Sequence, residues 1–311
     1  MQFGAQLWSQ NTTWPAFRDA ARRAEDVGFT SVWTWDHLLA IFGPWEQPIF
    51  EGWSLLTATA ASTTKIRLGL MVGANTFREP GITAKLATTL DHISDGRAIL
   101  GIGGAWFERE HGAFGIPAWS PSVGERLDRL DESVGIMRRL LGGERFSHEG
   151  RFYKLDDALC EPRPVQDRLP ILIGGAGPKK TLRTTAKYAD AWNISGPEDV
   201  AERVEILKGH CADVGRDFNE IELTANAPIV IRDSAAEAEA AFAALLAANG
   251  ATTLGVTPLL GSPQQVADSL AKYAELGFTT TTMRLPAPYD YETIERMPQV
   301  AELLAGVGAR G

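Results

Sequence analysis

Residues 2–8 read QFGAQLW, residues 14–27 WPAFRDAARRAEDV and residues 31–37 SVWTWDH. The first is a short apolar run that ends in polar residues, as strands do. Before the second, Thr13 stands where a helix is capped; Pro15 falls in its opening turn, and Phe17, Ala21, Ala24 and Val27 recur at helical spacing. The third is again strand-like, Ser31–Trp35, with Asp36 and His37 directly after it. Strand, helix and strand in this order form a βαβ unit, whose crossover makes the two strands parallel.

The alternation continues along the chain. Strand-like runs are Gln2–Trp8, Ser31–Trp35, Ile66–Gly73, Arg97–Gly103, Ile171–Gly174, Asp190–Ile194, Ile221–Ile231 and Phe278–Leu285. Helical patterns occupy Trp14–Val27, Pro80–Ile93, Ser122–Leu141, Pro178–Tyr188, Pro197–Val214, Ala235–Ala248, Pro263–Leu276 and Tyr289–Leu304. Eight units are what closes a barrel, so the expected fold is α/β, one (β/α)8 TIM barrel domain over residues 1–311. A bare barrel of ~250 residues leaves about 60 for insertions. These collect after strands 2 and 4, as Asp36–Glu51 and Trp106–Pro170, both at strand C-termini where barrel enzymes build their sites. Within the second, Phe146–Tyr153 reads as a hairpin turning at Glu149-Gly150.

An open doubly wound sheet would carry a GxGxxG turn after its first strand, but that strand runs into Ser9-Gln10. Gly101-Ile102-Gly103-Gly104-Ala105-Trp106 places a bulky Trp where the last small residue is needed, and Gly174–Thr181 has Pro178 where a phosphate loop needs glycine before lysine. Thirty Lys and Arg against thirty-nine Asp and Glu give a net charge of −9, which disfavours nucleic acid and anionic membranes as partners. No apolar run approaches the ~20 residues of a membrane span, and there is no signal-like N-terminus. Two cysteines, Cys160 and Cys211, suit a reducing cytoplasm, and neither they nor His111, His148 and His210 make a metal pattern. The expected ligand is a small molecule.

The strand ends share one rim, which gathers Gln6, Asp36, His37, Asn75, Gly103, Gly104, Gly174, Gly175, Ala176, Gly177, Asn193 and Arg284. His37 is suited to acid/base work near neutral pH. It and Asp36 both point inward only if the strand has already turned, because strand side chains alternate. The same dipeptide recurs as Asp91-His92 at the end of a helix pattern, where a structural role is expected. The two glycine clusters let backbone amides approach an anion or a flat ring, and Pro178 is expected to open a helix whose N-terminus, with Lys179, Lys180 and Arg183, suits a phosphate. Among nine Trp, Trp8, Trp33, Trp35 and Trp106 fall at strand ends and are candidates for walls of a planar site.

Six segments together carry a resemblance. They are Ala24–Phe29 leading into Val32–Leu38; Leu68–Val72 with Asn75–Pro80; Asp91–Arg97; Leu100–Gly103; Pro170–Gly175; and Tyr188–Asn193. In this order they resemble the bacterial luciferase-like superfamily, in its coenzyme F-420-dependent oxidoreductase branch. The resemblance implies the barrel fold, hydride transfer between the deazaflavin and a small organic substrate, and a homodimer. It implies that Asp36 lies near the deazaflavin and that His37 lies near the substrate and exchanges its proton. It also implies a non-prolyl cis peptide at Met71-Val72 that supports the ring. Asn75, Gly103, Gly104, Gly174, Gly175, Ala176, Gly177 and Asn193 would complete the cofactor site, while Gln6, Trp8 and Trp106 face the substrate. One departure stands out: the sugar-phosphate dehydrogenases of this branch carry an acid just after the fourth strand's glycines, whereas this chain reads Gly104-Ala105-Trp106-Phe107, with Glu108 and Glu110 off that position. This argues against glucose 6-phosphate as substrate. The alternatives are an FMN-dependent monooxygenase on the same barrel and a cofactor-binding barrel without chemistry.

Overall fold

The computed structural model describes residues 1–196 and 199–308. In chain order the elements begin β1 (Gln2–Leu7), α1 (Trp14–Asp26), β2 (Ser31–Thr34), α2 (Gly52–Ser62), β3 (Arg67–Leu70), β4 (Gly73–Ala74), α3 (Pro80–Ile93) and β5 (Ala98–Gly103). The middle of the chain holds α4 (Glu108–Phe114), α5 (Val123–Leu141), β6 (Phe146–Glu149), β7 (Lys154–Ala158), β8 (Ile171–Gly174), α6 (Thr181–Tyr188) and β9 (Ala191–Ser195). It ends with α7 (Val200–Val214), β10 (Glu222–Ile231), α8 (Ala235–Ala248), β11 (Leu259–Gly261), α9 (Pro263–Glu275), β12 (Thr280–Leu285) and α10 (Tyr291–Gly308).

Eight parallel strands close on themselves in the order β1, β2, β3, β5, β8, β9, β10, β12 and back to β1. This is the (β/α)8 barrel expected from the alternation, and each of the eight strand-like runs supplies one staff. Helices cover the outside, and α1 shows the stripe that seats one: Phe17, Ala20, Ala21 and Ala24 are buried, while Arg18, Arg22 and Arg23 face outward. Two apolar layers between sheet and helices share the load. The barrel lumen is filled by Trp33, Met71, Ile99, Leu172 and Ala191. None of the described helices is long and apolar enough to cross a membrane.

The third staff is broken. β3 stops at Leu70, the Met71-Val72 peptide is cis, and pairing with β5 resumes at β4 through Gly73↔Ile102 and Ala74↔Gly103. Gly101 makes this possible: a Cβ there would fall 1.8 Å from the Leu70 carbonyl oxygen.

Several local expectations are corrected. The hairpin is β6 and β7, with Glu149 paired to Lys154, so it turns through Gly150–Tyr153 rather than at Glu149-Gly150. α6 begins at Thr181, three residues past Pro178. The helix expected from Pro197 starts at Val200, and Pro197 itself lies outside the described residues. Helices α2 and α4 stood in no sequence pattern: α2 is apolar nearly all round and shows no stripe, and α4 is only seven residues long.

Candidate active site

β2 ends at Thr34, one residue before its apolar run does, and the freed chain lets Asp36 and His37 both reach one cavity. The two are held differently. Asp36 is 2% exposed and receives Arg78 Nη1 at 2.6 Å, Arg78 Nη2 at 2.9 Å and the Ala74 amide at 2.9 Å. Burial pushes its carboxyl up, against the guanidinium and the amide. Desolvation likewise opposes the charge of Arg78, but Asp36 and Glu51 outweigh it and hold the guanidinium above its ordinary range. Glu51 accepts from Arg78 at 3.1 Å and also caps α2 through the Trp53 and Ser54 amides. Asp36 therefore ties β2, β4 and α2 together beneath the cavity.

His37 meets a carboxylate that the sequence reading set aside. Its Nδ1 lies 3.0 Å from Glu110 Oε2, and Glu110 Oε1 accepts the amides of Leu38 at 2.5 Å and Leu39 at 3.1 Å. Glu110 is 1% exposed and lines the cavity from α4. The His37 ring stands edge-on to Trp35, Trp106 and Phe107, with centroids 5.4–6.2 Å away. Among the described residues Nε2 has no hydrogen-bond partner. An imidazole with one ring nitrogen fixed by a carboxylate and the other free is the arrangement an acid/base histidine needs.

The cavity measures about 370 Å³. Met71, Val72, Gly73 and Ala74 border it on the β3 side, Gly103, Gly104, Trp106 and Phe107 after β5, Gly174 and Gly175 after β8, and Asn193, Ser195, Asn226, Arg284 and Gln6 around the rest. Three of the lining side chains form a chain of hydrogen bonds: Arg284 Nε to Asn226 Oδ1, Asn226 Nδ2 to Gln6 Oε1 at 2.9 Å, and Gln6 Nε2 to the Met71 carbonyl at 2.8 Å. Burial, with no charge to oppose it, pushes the Arg284 guanidinium down to about 10. Asn193 donates Nδ2 to Thr224 Oγ1 at 2.8 Å.

The family described as luciferase-like monooxygenase matches residues 1–280. This chain belongs to that family. An uncharacterised protein of Mycobacterium tuberculosis is 34% identical over 228 residues, 72% of this chain and 74% of the relative. An F-420-dependent glucose-6-phosphate dehydrogenase of Intrasporangium calvum is 39% identical over 179 residues, covering 55% of this chain and 49% of that enzyme, so the match spans about half the relative's length. Among solved structures, the coenzyme F-420-dependent tetrahydromethanopterin reductase of Methanopyrus kandleri superposes with a TM-score of 0.76 at 24% identity, covering 96% of this chain and 97% of that one, and shares the fold.

In this luciferase-like barrel the rim residues read from sequence divide. Gln6, Asp36, His37, Met71, Val72, Gly103, Gly104, Trp106, Gly174, Gly175 and Asn193 border the cavity. Trp8 does not: β1 ends at Leu7, and Trp8 just past it is fully buried behind the wall, against Trp35 (4.5 Å between centroids) and Phe42 (4.8 Å), which themselves line the cavity. Asn75 is also displaced. Its side chain donates to Tyr153 Oη at 3.3 Å and its amide to the Gly103 carbonyl, so it braces β4 against the hairpin loop. Ala176 and Gly177 lie outside the lining, and a Cβ at Gly177 would strike Thr181 Oγ1. The expected phosphate-ready helix start is altered too, since Lys180 Nζ is committed to Asp128 at 2.5 Å and to the Gly124 carbonyl at 3.0 Å.

The glycines at the rim have an internal explanation. A Cβ at Gly103 would come within 2.8 Å of Val72 Cγ2, one at Gly174 within 2.7 Å of Val72 Cγ1, and one at Gly104 within 2.8 Å of Leu127. They make room for the Val72 bulge and for α5. Glu110, Arg78 and Asn226 are the functional candidates that sequence reasoning missed. Glu110 had a signal, as a carboxylate in the insertion after the fourth staff, but its distance from His37 in sequence hid the pairing.

Proposed function

We propose that this protein is a coenzyme F-420-dependent oxidoreductase that moves hydride between the cofactor's C5 and a small organic substrate, with His37 giving or taking the accompanying proton. The observation that carries the reading is the His37–Glu110 pair, Nδ1 held and Nε2 free, in a cavity bordered by the Met71-Val72 bulge. Its volume falls in the ~300–1,000 Å³ range of small-molecule sites. The residues fit a deazaflavin: Val72 offers an apolar surface for a ring face, and the backbone at Gly104, Gly174 and Gly175 forms an edge without side chains. F-420-dependent relatives support the choice of cofactor. When bound, F-420 supplies hydride chemistry with little reactivity toward oxygen, since carbon replaces the flavin's N5.

The chain's own part is positional. Glu110 accepts the Nδ1 proton of neutral His37, which leaves Nε2 as the basic nitrogen toward the cavity; when His37 is doubly protonated, the same contact stabilises it and Nε2–H becomes the donor. Trp106, 60% exposed at the mouth, and Phe107 beside it restrict water around His37. Asp36, spent on Arg78 and Ala74, holds the floor. The test is titration of the purified protein with F-420 and with FMN, followed by oxidation of reduced F-420 against enones, imines, ketones and alcohols. F-420 binding and turnover with one class is expected. Tight flavin binding without deazaflavin binding overturns the reading in favour of an FMN monooxygenase.

A further inference from the structure

Arg284 stands at the end of β12 and lines the cavity. Of its five N–H groups, Nε serves Asn226 Oδ1, one on Nη1 serves the Leu254 carbonyl at 2.6 Å, and one on Nη2 serves Ser195 Oγ at 2.9 Å. One N–H on each terminal nitrogen is left over. All three acceptors are neutral, and among the described residues no carboxylate oxygen lies within ion-pair distance of this guanidinium. Elsewhere Arg78, Arg138 and Arg232 each have a carboxylate partner within 3.0 Å. A sheltered cation without a counter-charge is costly, and the protein does not let this one swing away to find one: Asn226, clamped through Gln6 to the Met71 carbonyl, fixes its plane.

Among the described residues the cavity offers no partner. The two acidic side chains among them are committed, Asp36 to Arg78 and Glu110 to His37 and two amides. We infer that Arg284 receives a carboxylate carried by the substrate, so that the substrate is a small organic acid whose reacting carbon lies within reach of His37. This rests on the reading that substrate and F-420 share the cavity. One guanidinium with hydrogen-bonding capacity left on both terminal nitrogens carries the single positive charge that a monoanion balances. A phosphate monoester, carrying about −1.5 to −2 near neutral pH, would leave charge uncompensated beside Asp36 and Glu110, and among the described residues no second Arg or Lys lines the cavity.

The cofactor's own anionic tail is the other source of a carboxylate, and the test separates the two. Benzoate, methyl benzoate and inorganic phosphate are titrated calorimetrically into the F-420-loaded protein, and F-420 is titrated into the wild type and Arg284→Met. Benzoate is expected to bind about tenfold tighter than its neutral ester or phosphate, and Arg284→Met to lose about tenfold for benzoate, with Arg284→Lys between. Arg284→Met is expected to lose less affinity for F-420 than for benzoate. Equal binding of benzoate and its ester, preference for phosphate, or no benzoate binding overturns the inference, and this arm needs no variant. A parallel loss of F-420 affinity in Arg284→Met also overturns it, by assigning Arg284 to the cofactor tail. Failure of the wild type to bind F-420 rejects the proposed function instead; benzoate titration of the cofactor-free chain and of Arg284→Met then reads the carboxylate site separately.

Discussion

The chain contains the dipeptide Asp-His twice, and the two copies have opposite uses. In both, the aspartate is buried and ties chain segments together. Asp36 binds Arg78 and the Ala74 amide; Asp91, 0% exposed at the end of α3, accepts the Val165 and Gln166 amides at 2.8 and 3.1 Å and Gln166 Nε2 at 2.7 Å. The histidines differ. His37 lies in the cavity with Nδ1 on a buried carboxylate and Nε2 free, while His92 is exposed and spends Nε2 on the Arg163 carbonyl at 2.8 Å. What a strand end and a helix end do to the same two residues is to aim one imidazole into a concave site and the other along the surface.

The comparison is broken first at the histidines. His37→Ala is expected to cut turnover of the substrate found in the panel by about 10²–10⁴-fold, the usual worth of a positioned acid/base. Stability should fall by about 1–3 kcal/mol, because buried Glu110 keeps its two amides but loses the ring donor, so turnover is compared at a temperature where both proteins are folded. Unchanged turnover would remove His37 from the chemistry and leave the two copies equivalent.

At the aspartates the expected effect is on stability. Asp36→Ala strips Arg78 of its two-point partner, with only Glu51 remaining, and should cost about 3 kcal/mol in denaturant unfolding. A midpoint unchanged from wild type would mean the pair carries no structural weight. Asp91→Ala leaves the Val165 and Gln166 amides without their acceptor, a loss of about 1–3 kcal/mol. F-420 affinity should not move in this variant. If it does, the helix-end copy is coupled to the cavity and the contrast fails.

How much of this was legible in the sequence follows the range of each interaction. The eight staves were readable because a strand's apolar run is local, and Asp36-His37 was readable because polar residues after such a run reach the rim. The Met71-Val72 bulge left no local trace: the stretch is uniformly apolar, without proline, and only the resemblance pointed to it. The rim glycines were read as openings for a ligand, but the atoms that require them belong to Val72 and Leu127, which sequence order does not place beside them. Trp8 lies two residues past Gln6 and just beyond the end of β1, and only packing against Trp35 and Phe42 reveals that it turns away from the cavity. Glu110 and Arg284 lay in plain view as residue types. Their meaning came from a contact made in one case and a counter-charge lacking in the other, and both are tertiary facts.

The smallest effect is the sharpest control. His92 is exposed, its single hydrogen bond goes to a carbonyl that water can also reach, and its place in the last turn of α3 offers at most a modest interaction with the helix end. His92→Ala should therefore change stability by no more than about 0.5 kcal/mol, as for an ordinary surface substitution, and leave turnover and F-420 affinity at wild-type values. Because the neighbouring aspartate is kept, any larger loss in the unfolding midpoint would have to come from the imidazole itself. A drop in turnover would be more telling still: His92 would then act on the site through Asp91 and the segment around Gln166, and position at a strand end would no longer be what separates the two histidines.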